Sequence, residues 1–388
     1  IASDLRQVSG ALKMVTDLER MGDHAADIAE VGLALAPQAA LSEGLRQMAR
    51  NALEMEKEAL GAFLGRDRKK ADRGVQADDA QAAQLDQVKK GLAGRLAALC
   101  REKGIRLVPL INLLGHQSWH GKAGKLLQVY PQFDEKPRVK FPENYVWPNP
   151  DRLYCKSYCP NHPEVHDVVF DCVDAVVEAF GATDFHAGLD EVFDLADTDC
   201  PRCGGLDPAE VFAGEVNRIA AHLRRKGVRL WMWADRLIDG RRDASGYGEW
   251  SASIGNTHRA IDRIDRSVMM CDWHYRDAEQ SAVYFAIKGF DVVTCGWERP
   301  AVTRMQLDDM LRFRRHSSKY MSERFKGYMQ TVWSGFGQFL DEYRNGSDKE
   351  FCAARNYRFL KSYFRQFSED GGGNFPHAGE EKAPVFGQ

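Results

Sequence analysis

Apolar residues recur at Leu5, Val8, Leu12, Val15, Leu18, Ala25 and Ile28, a spacing that places them on one face of a helix within residues 1–36. Pro37 breaks that pattern, and Ser42 is placed to cap a second helix reaching about Leu64, where Gly65 stops it. A third helix is predicted from about Asp67 towards Lys103, strongly charged at first, with Gly74 and Gly91 as weak points. This part predicts an all-α bundle, polar outside and poor in large core residues. Such a bundle would be only modestly stable alone.

From Gly104 the rhythm changes. The run IRLVPLINLLGH reads as a buried strand, and helix and strand then alternate. The predicted pairs are helix 164–180 and strand 183–189, helix 208–226 and strand 228–235, and a helix near 256–262 with strand 267–274. Helix 277–288 with strand 290–296, helix 304–325 with strand 327–333 and a last helix over about 348–367 follow. Alternation of this kind implies βαβ units on a parallel sheet. The fold expected is therefore α/β, a (β/α) TIM-type barrel with six strands, preceded by the all-α segment. The strand ends carry Asn112 and His116, Asp190 and Glu191, Trp233 and Asp235, Trp273 and His274, Trp297 and Glu298, and Trp333. In such barrels the C-terminal strand ends form the face that holds the active site. The Gly- and Pro-rich stretch 371–388 reads as a loose tail.

The most informative octapeptide is HAGLDEVF at 186–193, which breaks off an apolar run with adjacent acids. Buried acids beside a histidine are costly and rarely persist without a chemical task. A solvated loop or a helix cap is the plain alternative. Composition divides the chain in the same place as the periodicity. All nine Cys lie at position 100 or later, all eight Trp at 119 or later, and the only aromatic residue before 100 is Phe63. A net charge of −3 gives no field to recruit nucleic acid, and no stretch is apolar enough to span a bilayer. The chain begins with Ile and shows no signal peptide.

Two families are resembled. LVPLINLLGHQ at 107–117 and HAGLDE at 186–191, with the Trp-ended strands WMWAD, CDWHY, CGW and TVW, resemble glycoside hydrolase family 20, the β-N-acetylhexosaminidases, over about 85–370. SDLRQVSGALKMVTDLERMGDHAADIAE resembles one repeat of PhoU, a helical regulator linked to phosphate uptake, within residues 1–79. The expected domains are thus 1–79, 80–370 and the tail 371–388. The barrel pattern opens at what resembles the third strand, and the PhoU pattern covers one repeat. A fusion, a join made in assembly and a fragment each account for this.

The family 20 resemblance implies that the substrate's own 2-acetamido oxygen attacks the anomeric carbon. It implies that Asp190 orients and charge-stabilises the acetamido nitrogen and that Glu191 protonates the leaving oxygen. His116 and His186 would lie close by. Trp233, Trp273, Trp297 and Trp333 would wall the sugar, and Tyr275 would donate to the acetamido oxygen. Each Trp taken singly is as readily a core residue. The family's strand-one Arg, which binds sugar hydroxyls, has no counterpart. Terminal β-linked N-acetylhexosamine on a glycan or glycoside is the expected substrate, with no cofactor required for catalysis. The PhoU resemblance implies metal binding through Glu19, Asp23 and Asp27, which share a helix face, and a helical partner for that segment. Without such a partner the three acids are a solvated face. The alternative function is a PhoU-like regulatory, metal-binding module joined to an inert sugar-binding barrel. The two resemblances disagree on location, since PhoU relatives are cytoplasmic and many family 20 enzymes are exported.

Cysteines add one more expectation. CKSYC at 155–159 and CPRCGG at 200–205 fall in the loops after two successive strands, and CPxCGG resembles a zinc knuckle. Cys155, Cys159, Cys200 and Cys203 would close a structural tetrahedral zinc site, with His162 as a spare ligand. Free thiols, or one disulfide in an exported protein, are the alternatives.

Overall fold

The computed structural model describes residues 43–369, apart from 66, 120, 143, 148 and 150–152. Glu19, Asp23, Asp27, the predicted first helix and the tail lie outside the described residues. The chain divides into two compact units, Ile1–Ala93 and Gly94–Gln388. In the first, helix α1 (Glu43–Gly65) is followed by α2 (Arg68–Glu102), which continues past the division. Asp67 caps α2 by accepting the Lys70 N–H at 3.1 Å, which satisfies one of the helix's orphan donors. The described part of this unit buries little. Ala62 is covered, whereas Leu53, Leu64 and Val75 are largely exposed.

The second unit is built on a six-stranded sheet in the order β1 (Leu110–Leu113), β4 (Asp184–Gly188), β5 (Arg229–Trp233), β6 (Met269–Trp273), β7 (Asp291–Gly296) and β8 (Phe325–Gln330). Every pair is parallel. The remaining strands, β2 (Ser118–Trp119) and β3 (Lys122–Ala123), form a small hairpin. The six-stranded sheet is open, with β1 and β8 as its edges.

Helices cover the outer face because their apolar residues keep helical spacing. Helix α4 (Val165–Phe180), preceded by the short α3 (Lys125–Val129), buries Val165, Val169, Val173 and Val177 in one stripe. Gly181, with φ of 57°, closes it in the left-handed conformation that favours glycine. Helix α5 (Pro208–Arg225) starts at Asp207, whose side chain accepts from Ala209 N, and buries Phe212, Val216, Ile219 and Leu223. The inner face holds a smaller cluster of Trp231, Trp233, Met269, Cys271, Val293 and Cys295.

The later elements depart from the periodicity. The helix expected near 256–262 is a 3-10 turn over Thr257–Asp262, and only short helices α6 (Gly248–Ser251) and α7 (Ser281–Ile287) flank β6. The long helix expected at 304–325 is split into α8 (Pro300–His316) and α9 (Lys319–Ser322), because Ser317 turns extended and Ser318 caps a new helix. Helix α10 (Phe336–Asn345) precedes the last, α11 (Ala353–Glu369). No helix among the described residues is long and apolar enough to cross a membrane.

Candidate active site

Two loops meet at the C-terminal ends of β1 and β4. A Cβ added to Gly115 would lie 2.7 Å from the Asp190 carbonyl oxygen, so only glycine lets these backbones approach. Gly188, with φ of 68°, sits likewise against Asn112. Around them Leu114, His116, Leu189 and Glu191 all take positive φ, an uncommon cluster of strained non-glycine residues. This packing is the physical content of the Gly-His and His-x-Gly-x-Asp-Glu patterns: it turns His116, Asp190 and Glu191 towards one another.

His116 Nε2 lies 3.2 Å from Asp190 Oδ2 and 3.3 Å from Glu191 Oε2. All three side chains are no more than 15% exposed. Burial disfavours a charged imidazole, but hydrogen bonds and charge from both carboxylates outweigh it and push His116 up to about 10. The ring is therefore an imidazolium at neutral pH, clamped between two acids. The other oxygen of Asp190, Oδ1, is buried and has no hydrogen-bond partner.

Beneath the pair sits Asp235, which is almost fully buried. Its Oδ2 accepts the Glu191 backbone N–H at 3.1 Å and Arg236 Nε at 2.6 Å, and its Oδ1 faces Trp273 Nε1 at 3.3 Å. Burial raises the Asp235 pKa, with Arg236 opposing and Asp190 adding to the rise. Arg236 is buried too, and its other amine reaches the carbonyls of Glu249 and Ala252. Asp235 and Arg236 thus fix the backbone from which Glu191 projects.

The indoles form one connected wall. Trp233 lies 5.9 Å from Trp333 between ring centroids, Trp273 stacks on Tyr275 at 5.1 Å, and Tyr275 meets Trp297 edge-on at 5.6 Å. Trp333 Nε1 donates to the Tyr275 hydroxyl at 2.9 Å. Burial, first of all, holds the Tyr275 phenol well above its usual pKa, so it keeps its proton. A hollow of about 460 Å³ is lined by Tyr247, Trp250, Trp273, His274 and Tyr275.

His186 is buried. Its Nδ1 accepts the Gly188 N–H at 3.0 Å and its ring packs 4.6 Å from Trp233. Among the described residues, the imidazole beside both carboxylates is that of His116. A second aromatic group escaped the sequence reading. Tyr154 contacts Trp119, Trp147, Phe193 and Trp250, and burial together with the Glu191 charge pushes its phenol up to about 12. Tyr154, Trp147 and Phe193 sit in irregular segments, and Trp119 and Trp250 in elements of only two and four residues, too short for a periodicity to mark them. Asp235 was read only as a strand-end residue and Arg236 was not singled out, although an Asp-Arg pair directly after an apolar strand was the available signal.

The cysteine expectation needs one correction. Cys159, Cys200 and Cys203 come together with Glu135, and their ligand atoms all lie within 4.8 Å of one another. Cys155 does not join them. Its Sγ lies 3.6 Å from the Glu191 carbonyl oxygen, because the extended chain between Cys155 and Cys159 carries the two thiols to different neighbours. His162 packs on Phe133, with its Nδ1 accepting from Glu164 N at 3.2 Å.

Comparison with known sequences and structures finds relatives of two kinds. The catalytic domain of glycosyl hydrolase family 20 matches residues 89–339, and the PhoU domain matches residues 1–32. The chain is 30% identical over 117 residues to a phosphate-specific transport system accessory protein PhoU homolog of Rhizobium meliloti, covering 29% of this chain and 48% of that protein. It is similar in structure to the Flavobacterium johnsoniae chitobiase, at 16% identity and a TM-score of 0.46, covering 73% of this chain and 42% of that one. A β-N-acetylhexosaminidase from Bacteroides fragilis is similar at 16% identity and a TM-score of 0.44, covering 74% of this chain and 60% of that one. The chain therefore spans about half the length of the curated relative it matches.

Proposed function

Because the chain belongs to glycosyl hydrolase family 20, matching its catalytic domain over residues 89–339, we propose that it hydrolyses terminal β-linked N-acetylhexosamine with the substrate's acetamido oxygen as nucleophile. The observation that carries this reading is the buried, partnerless Asp190 Oδ1 beside Glu191. A buried acceptor without a partner is costly unless a ligand donor completes it. The acetamido N–H is such a donor.

On this reading the labour divides as the family resemblance implies. His116 occupies one oxygen of each acid, which leaves Asp190 Oδ1 free for the substrate. As the acetamido oxygen bonds to the anomeric carbon, positive charge develops on the acetamido nitrogen, and Asp190 accepts its N–H and stabilises that charge. Glu191 takes the proton of the His116 imidazolium that faces it at 3.3 Å and gives it to the glycosidic oxygen as the bond to the leaving group breaks. It then takes a proton from the water that opens the oxazolinium ring, so the configuration is retained. Trp233, Trp273, Trp297 and Trp333 offer flat apolar faces to the ring and its methyl group. The Tyr275 hydroxyl, which accepts from Trp333, would donate to the acetamido oxygen.

The test compares nitrophenol release from the N-acetyl-β-glucosaminide and from the plain β-glucoside. The reading predicts turnover of the first only, with Glu191→Gln slower by about 10²–10⁴-fold on substrates that need the acid. Equal rates on both, or an unaffected Glu191→Gln enzyme, overturns it. Tight binding of an N-acetylglucosamine thiazoline without any turnover would make the barrel a sugar-binding module instead.

A further inference from the structure

We infer that Glu135, Cys159, Cys200 and Cys203 form a structural zinc site that anchors the loop carrying Asp190 and Glu191. The inference is independent of the proposed glycosidase activity.

The four residues come from three stretches, and the backbone brings them together deliberately. Residues 133–135 run antiparallel to 157–159, with Glu135 N donating to Ser157 O at 3.0 Å and Cys159 N to Phe133 O at 2.7 Å. That pairing sets Glu135 and Cys159 side by side. The third stretch is a tight knuckle. Cys200 N donates to Asp197 O at 2.9 Å and Gly204 N to Cys200 O at 3.2 Å. A Cβ on Gly204 would lie 2.5 Å from the Cys200 oxygen, so the turn requires glycine at that place. This is the role that glycine plays in the Cys-x-x-Cys-Gly pattern.

The donor set fits zinc in number, kind and spacing. Thiolates at about 2.3 Å from a tetrahedral ion stand about 3.8 Å apart. Cys159 Sγ lies 3.8 Å from Cys203 Sγ and 3.4 Å from Cys200 Sγ, and Glu135 Oε1 lies 2.7 Å from Cys203 Sγ. All four residues are buried, and Glu135 Oε2 has no partner. Packing three thiols and a carboxyl together without any cation among them is unfavourable. The backbone also points N–H groups at the sulfurs, from Arg202 and Cys203 towards Cys200 and from Asn161 towards Cys159. One disulfide would use two of the sulfurs and leave a third thiol and a carboxyl buried together. A zinc ion uses all four groups, and three thiolates select it over calcium or magnesium.

Anchoring follows from the chain order. Cys200 and Cys203 lie in the loop that begins with Asp190 and Glu191. Lys136, next to Glu135, bridges to Asp194 at 2.7 Å and Asp197 at 3.1 Å in that loop. The site would therefore hold the far end of the catalytic loop against the segment that follows β1.

Elemental analysis of the full chain, purified without chelators, tests the inference. The expected result is one zinc per chain, lowered at least about tenfold in a Cys200→Ser, Cys203→Ser double variant. Glu135→Gln is expected to hold less metal than the parent, and Cys172→Ser, at an exposed cysteine, to hold as much. Replacement by cobalt should give thiolate charge-transfer bands and the visible bands of a tetrahedral ion. Should the double variant fail to fold, the parent protein decides. Titration of its thiols with a mercurial should release the zinc as three thiols react. A parent that holds no stoichiometric zinc and takes up none when it is added overturns the inference, as does a disulfide between any two of these cysteines in peptides mapped without reduction.

Discussion

The loop after β4 carries two buried polar clusters, and they are balanced in opposite ways. At its start the acids lie against cations of the protein itself: Asp190 and Glu191 share the imidazolium of His116, and Asp235 has the guanidinium of Arg236. Further along, Cys159, Cys200, Cys203 and Glu135 meet mainly one another and a few backbone N–H groups. The first cluster is complete except for one oxygen of Asp190. The second offers only ligands. The proposed roles fit this contrast: an acid balanced by the fold, with one acceptor to spare, suits a passing substrate, and a set of thiols and an acid without a cation suits a resident one.

Asp235→Asn should break the comparison most sharply. It keeps the acceptor for Glu191 N but removes the charge that balances buried Arg236. Loss of one partner from a buried ion pair costs about 3–5 kcal/mol. Steady-state kinetics and thermal melting should show lower stability and a kcat reduced by about 10–100-fold, with KM little changed, because Asp235 acts through the position of Glu191. Zinc content should stay as in the parent. An unchanged kcat would mean that Asp235 does not position the acid.

A smaller effect sharpens the same contrast. His116 is pushed up to about 10 in the folded chain from an ordinary 6.5, so folding favours its protonated form. Its contribution is fully present below about pH 6.5 and is lost as pH rises towards about 10, at most about 1.4 kcal/mol for each unit of the shift. Urea unfolding of the parent and of His116→Gln at pH 6, 8 and 10 should therefore show a stability gap that narrows as pH rises. A gap that stays constant would place another group in the clamp.

Much of the barrel was legible because its strands are short apolar runs that stop at polar or aromatic residues. Residues 183–189 and 290–296 became β4 and β7 almost as their patterns read. The stretch 304–325 misled, since its periodicity runs through Ser317 while the backbone does not. The pair Asp190–Glu191 was legible from its motif, and so was the bundle of strand-end indoles. Glu135 was not, because a carboxylate ligand in an irregular segment has no spacing to betray it. Asp235 was hidden for another reason: next to two tryptophans of β5 it read as a strand end, and only the fold shows its bond to the Glu191 backbone. The aromatic group around Tyr154 is assembled from irregular segments and two very short elements, whose packing no local pattern encodes.

The central claim is that Asp190 and Glu191 serve an attack by the substrate's own acetamido group. The most direct measurement is the rate on nitrophenyl glycosides whose N-acetyl group carries successive fluorine atoms. If the acetamido oxygen is the nucleophile, each fluorine weakens it and kcat/KM should fall steeply through the series, with the slope flattened in Asp190→Asn. A rate indifferent to fluorination would contradict the account.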